Sequence, residues 1–153
     1  MSDHCHIVCT HCTATNRVQA GRDPRAAKCG GCHQPLFDGY PAEVDVAALE
    51  RHLRVDDVPV LLDVWAPWCG PCRNMAPMFA RAAQVLEPDF RLLKLNADTA
   101  PETCARLGVQ GIPALFLFRR GEVAARTAGS MQTDAIVAWA RRQATEAITS
   151  TGR

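Results

Sequence analysis

At 153 residues with 48% apolar side chains, the chain can bury one ordinary core plus a small annex, and it is too apolar for wholesale disorder. Its net charge of +1 is spread evenly, with four basic and three acidic side chains in residues 1–40 and thirteen of each beyond. That balance offers no basic face for nucleic acid, and no apolar run reaches membrane-spanning length. The start, Met1 to His6, lacks the basic-then-apolar pattern of a secretory signal, so a cytoplasmic protein binding neither nucleic acid nor membrane is expected.

Eight cysteines stand out in such a chain. Six form Cys-x-x-Cys pairs at Cys9/Cys12, Cys29/Cys32 and Cys69/Cys72, leaving Cys5 and Cys104. In a reducing compartment, metal binding or catalysis accounts for them better than structural disulfides. The first two pairs have the spacing of zinc knuckles, each turning two thiolates toward a shared tetrahedral site. Gly30 and Gly31 supply the positive φ expected inside the second knuckle, and Lys28 offsets the thiolate charge. His4, Cys5, His6, His11 and His33 lie nearby, but four thiolates already saturate zinc. Two local disulfides or free thiols are the alternative. With so few large apolar residues, the segment needs a staple of some kind.

Leu36 and Phe37 pack this small unit or dock it on the next, and Asp38-Gly39 marks a turn. The expected division is a zinc-binding ribbon over 1–40 and a larger domain over 41–153. Asp45 caps a helix over 46–53. Residues 58–65 are apolar on both faces and read as a central strand. A helix follows from about 71 to 86 with Pro77 inside it. The pattern then predicts a strand over 91–96 and a short helix from Pro101 to Leu107, ended by Gly108. A hairpin of 114–118 and 123–128 turns at Arg120-Gly121. The last helix spans 133–148, with Ile136, Val137 and Ala140 inward. Alternating strands and helices imply an α/β fold, a central mixed sheet flanked by helices.

The third cysteine pair differs from the other two in context, lying between an apolar strand and a helix. That marks a redox site. Cys69 falls at the helix N-terminus, where unpaired N–H groups and the helix dipole favour a thiolate. Cys72 lies one turn on, within bonding reach, and suits a resolving thiol. Asp63 interrupts the apolar strand, so burial should raise its pKa and make it a proton acceptor for Cys72. Cys104 reads as a small buried apolar residue, with a regulatory thiol as the alternative.

The run Trp65-Ala66-Pro67-Trp68-Cys69-Gly70-Pro71-Cys72-Arg73 resembles the active site of the thioredoxin family. Lys94-Leu95-Asn96-Ala97-Asp98, Gly111-Ile112-Pro113 and Phe118-Arg119-Arg120-Gly121 follow in that family's order. The N-terminal knuckles resemble the zinc-binding extension of the second, larger bacterial type. The resemblance implies a thioredoxin fold and a protein-disulfide reductase, itself reduced by thioredoxin reductase with NADPH. It implies the same role for Asp63 and pairs Lys94 with it. A cis Ile112–Pro113 bond would hold extended substrate at Ile112. Trp68, Gly70, Pro71, Gly111 and Gly129 would form the client surface over a supporting Trp65, and Arg73 would add charge. The absence of histidine between the thiols favours a reductant over an oxidant or isomerase. A partner-recruiting zinc module with an ancillary redox domain is the other alternative. Oxidisable zinc thiolates would also make the ribbon redox-responsive.

Overall fold

The computed structural model describes residues 4–151, with side chains through 146. The chain opens with an antiparallel pair, β1 (His4–Val8) and β2 (Thr15–Gln19), in register from His4 opposite Gln19 to Val8 opposite Thr15. The first knuckle joins these strands, and a Lys28–Pro35 bridge closes the second. Ile7, Val18, Leu36 and Phe37 make a small core with Cys9 and Cys29.

A five-stranded sheet follows, built from β3 (Ala42–Glu43), β4 (Val60–Trp65), β5 (Arg91–Asn96), β6 (Ala114–Arg119) and β7 (Glu122–Ala128). Its order is β3-β5-β4-β6-β7, parallel through β3, β5 and β4 and antiparallel beyond. The helices are α1 (Val46–Val55), α2 (Gly70–Leu86), α3 (Pro101–Leu107) and α4 (Thr133–Thr151). Asp45 caps α1 through the Ala48 N–H at 2.8 Å. The Arg120-Gly121 turn has positive φ at both residues, 50° and 81°, as a two-residue hairpin with the sheet's twist requires. A Cβ at Gly121 would also come 3.0 Å from the Leu53 carbonyl. Strand β3 lies outside the elements expected from sequence; two residues carry no periodicity, and only their pairing with Leu93 and Lys94 defines them.

Side-chain alternation gives the sheet two buried faces. Leu61, Leu92, Leu115 and Leu117 pack with Met75, Phe79 and Leu86 of α2 and with Ile136, Trp139 and Ala140 of α4. Val60, Leu62, Val64, Leu93, Leu95, Phe116 and Phe118 pack with Leu49 of α1 and the flank of α3. Asp63 keeps the phase of Leu61, so it faces α2. Val137 is only partly buried, and Trp139 fills the inward place instead.

The cysteine-rich unit docks at the N-terminal ends of β4 and β5. Asp56 accepts the Val8 N–H at 2.7 Å and contacts His52 Nδ1 at 2.6 Å, with the His52 and Asp56 side chains both fully buried. Arg91 donates to the Val8 carbonyl at 3.0 Å and lies over Phe37, its Cζ 4.2 Å from the ring centroid. Its other side faces Glu87 at 3.8 Å, whose carboxylate accepts the Gly39 N–H at 3.2 Å. Phe37 and Leu36 therefore both fill the small core and form its base. A strand of six residues spans roughly 17 Å, so this dock and the Cys69 end of β4 lie far apart.

Candidate active site and metal centre

Chain direction places the third cysteine pair where β4 ends and α2 begins. Cys69 is the N-cap residue of α2, and its sulfur accepts the Cys72 N–H at 3.2 Å. The two cysteines form a disulfide. They are buried with Ala66, and Trp65 and Ile112 pack against them. Cys69 is the more accessible, at 5% against 2%, a smaller difference than its terminal position suggests. The helix runs through exposed Pro77 to Leu86.

Beneath this first turn, Asp63 is fully buried, and neither carboxylate oxygen has a hydrogen-bond partner among the described residues. Burial pushes its pKa up to about 7; the Lys94 charge opposes this shift and Glu43 adds to it. Lys94 stands beside Asp63 in register, yet the expected ion pair is not formed. Its ammonium instead lies over the Trp65 ring, 4.7 Å from the centroid. The Trp65 indole is tied in turn to Glu43, donating to Oε1 at 2.7 Å. Sequence reading does not find Glu43, because its place depends on the unexpected β3.

The Ile112–Pro113 bond is cis, and the Ile112 carbonyl oxygen lies 3.7 Å from Cys69 Sγ. The Gly129 N–H donates to the Pro113 carbonyl at 2.8 Å, with φ of +105°, a backbone that disfavours any side chain. Gly70, Gly111 and Gly129 all have open space where a Cβ would stand. Trp68 is 67% exposed beside the disulfide and donates to Asp98 at 3.0 Å, a partner not found from sequence. Pro71 is exposed at the start of α2. Arg73 is also exposed and folds back to donate to the Pro67 carbonyl at 2.9 Å. The structure thus gathers Cys69, Cys72, Trp68, Pro71, Ile112 and Pro113 at one end of the sheet, with Asp63 below.

The Thioredoxin family pattern matches residues 41–142. The chain belongs to the thioredoxin family. It is 36% identical over 137 residues to thioredoxin C-3 of Corynebacterium nephridii, covering 90% of this chain and 94% of that protein. This match is longer than everything after residue 40, so it reaches into the cysteine-rich unit. The thioredoxin of Rhodospirillum rubrum is 37% identical over 97 residues, covering 63% of this chain and 93% of its own. Among solved structures, a mutant thioredoxin from Halobacterium salinarum NRC-1 is 28% identical, with a TM-score of 0.63 over 70% of this chain and 93% of that one. The chain is therefore a thiol-disulfide oxidoreductase of the protein-disulfide reductase kind. Among the described residues, no helix is long and apolar enough to cross a membrane.

This thioredoxin also carries four cysteines arranged for a metal ion. The sulfurs of Cys9, Cys12, Cys29 and Cys32 all lie within 4.8 Å of one another. Cys9–Cys32 and Cys12–Cys29 are each 3.6 Å apart. Thiolates bound tetrahedrally at about 2.3 Å would stand roughly 3.8 Å apart, so the donor set fits. The two knuckles share one backbone plan. Cys9 pairs with Ala14 and Thr13 as Cys29 does with Gln34 and His33. The His11 and Gly31 N–H groups each donate at 3.3 Å to the first sulfur of their knuckle.

Positive φ falls on Thr13 and His33, at 64° and 66°, and not on Gly30 or Gly31 as expected. The chain turns back after each second cysteine, and the tight N–H to sulfur contacts come before that turn. The Cys32 N–H and the Asn16 amide hold the Cys29 thiol down to about 6. His6 instead meets Asp57 at 3.0 Å. Cys5 packs at the edge of the small core, and Cys104 is only partly buried against α3's face of the sheet. Burial raises both thiols.

Proposed function

We propose that this thioredoxin reduces protein disulfides through Cys69 and Cys72 and is itself re-reduced by NADPH-dependent thioredoxin reductase. The observation that carries this reading is the Cys69–Cys72 pair capping α2 above an unpartnered, buried Asp63. The Cys69 thiolate attacks one client sulfur, forms a mixed disulfide and releases the other as a thiolate. The Asp63 carboxylate takes the Cys72 proton, and Cys72 then attacks Cys69 Sγ, forming the enzyme disulfide and releasing the second client thiol. Two electrons pass to the client. Lys94 tunes Asp63 by its charge. Trp68, Gly70, Pro71, Gly111, Ile112, Pro113 and Gly129 form the surface on which the client peptide lies extended.

The same proposal divides the chain into a ribbon over 1–40 and a thioredoxin domain over 41–153, placed in the cytoplasm. Cys9, Cys12, Cys29 and Cys32 would hold one zinc ion, a closed four-thiolate site that supplies folding free energy rather than reactivity. Insulin reduction with NADPH and thioredoxin reductase tests the reading. Cys69→Ser should be inactive and Cys72→Ser should trap a mixed disulfide, while Cys9→Ser should keep turnover wherever it stays folded. Turnover by Cys69→Ser, or a potential well above about −200 mV, would overturn it.

A further inference from the structure

Asp63 is one end of a row that crosses three strands. In the order β3-β5-β4, Glu43 stands opposite Lys94, and Lys94 stands opposite Asp63. In-register neighbours on parallel strands project to the same face. The row is graded from exposed Glu43 through half-buried Lys94 to fully buried Asp63. Trp65, two residues after Asp63, roofs it. Its ring receives the Lys94 ammonium at 4.7 Å, and its N–H binds Glu43 at 2.7 Å.

Lys94 therefore stands in register between two carboxylates, while its ammonium lies against the aromatic ring. A lone lysine beside an unpaired, buried carboxylate should swing onto it, because an unpaired charge there is costly. Here the ammonium is kept at the ring instead, and Asp63 has no hydrogen-bond partner among the described residues. What holds the cation back is on the opposite side of it: the Glu43 charge and the indole that Glu43 anchors.

We propose that Glu43 is a positioning residue for Asp63: with the Trp65 indole it holds the Lys94 ammonium away from the buried carboxylate and leaves that carboxylate unpaired. This inference rests on reading Asp63 as the proton acceptor for Cys72. The charged or titratable groups facing Asp63 are Lys94 from β5, Glu43 beyond it on β3, and the Cys69–Cys72 sulfurs at the start of α2; β6 offers only Leu115. Partial burial raises the Glu43 pKa, and the Trp65 N–H and Lys94 restrain that rise. Both the direct repulsion of Glu43 and its hold on Lys94 keep the proton on Asp63.

The test is Glu43→Gln, which removes the charge but keeps an oxygen for the indole N–H. The Asp63 carboxyl carbon is titrated by NMR in the oxidised protein, and the pH profile of client reduction is recorded beside it. Glu43→Gln should lower the Asp63 midpoint by roughly half a pH unit or more and move the rate profile the same way. Lys94→Gln should raise both. A Glu43→Gln midpoint equal to the parent's, or a Lys94→Gln midpoint that does not rise, overturns the inference. If Asp63→Asn meanwhile flattens the rate profile, the proton-acceptor reading survives that failure. If Asp63→Asn leaves the profile unchanged, both readings fall.

Discussion

Among the described residues, Asp63 and Glu87 are the two carboxyl groups that burial raises to about 7; Asp63 lies within β4 and Glu87 ahead of β5 at the dock. Glu87 belongs to the dock: Arg91 lies 3.8 Å away, the Gly39 N–H binds it, and the cysteine-rich unit closes over both. Asp63 has no hydrogen-bond partner among the described residues, and a disulfide lies above it on the same face. A shared pKa therefore does not imply a shared role. Desolvation acts wherever a carboxylate is enclosed; function requires a reacting group beside it and freedom from a fixed partner.

The dock should fail most severely when broken. Arg91→Ala removes the cation facing buried Glu87 and the donor to the Val8 carbonyl, and the expected loss is about 3–5 kcal/mol by urea unfolding. Turnover per folded molecule should change little. Next comes Asp63. Its carboxyl ionises at 3.8 when solvated and near 7 in the fold, so the folded state holds an extra proton between those values. Stability from this group is thus greatest below about pH 4 and falls as pH rises through 7, by an amount on the order of 4 kcal/mol. Asp63→Asn should remove that fall, be the more stable protein at pH 8, and slow turnover.

Glu87→Gln sharpens the contrast. It should remove a similar but smaller pH-dependent loss, since Arg91 offsets part of the burial, while leaving the pH profile of client reduction intact. A change in that profile would erase the distinction between the two carboxylates. Stripping metal from the intact protein with a chelator should lower its melting temperature and expose the dock, with the potential of the Cys69–Cys72 pair unchanged. The smallest effect belongs to Cys104→Ala, a partly buried thiol on the α1 and α3 side of the core, at about 1 kcal/mol or less and with full activity.

Much of the fold was legible because its signals are local. The buried run of β4, the caps of α1 and α2, and the Arg120-Gly121 turn each depend on a few adjacent residues. The order of elements followed from their alternation. The two classes of cysteine pair also separated by local context, one set on knuckles and one between a strand and a helix. Expectation failed where contacts join distant segments. One failure was local: Gly30-Gly31 promised the positive φ that Thr13 and His33 adopt, because the sulfur contacts two residues along, not intrinsic freedom, decide where each knuckle turns.

By itself, then, the sequence determined which cysteines could meet, that Asp63 would be enclosed, and that a strand and a helix would present Cys69 at a helix end. These outcomes follow from covalent spacing and from hydrophobic periodicity. Only the tertiary structure decided what stands beside each charge. A two-residue strand sets Glu43 beside Lys94, Lys94 turns to Trp65 instead of closing on Asp63, Trp68 finds Asp98, and Arg91 binds the Val8 carbonyl. Cross-strand register and docking set those neighbours. The energy of a buried charge depends on atoms a few ångströms away in space, whatever their distance along the chain.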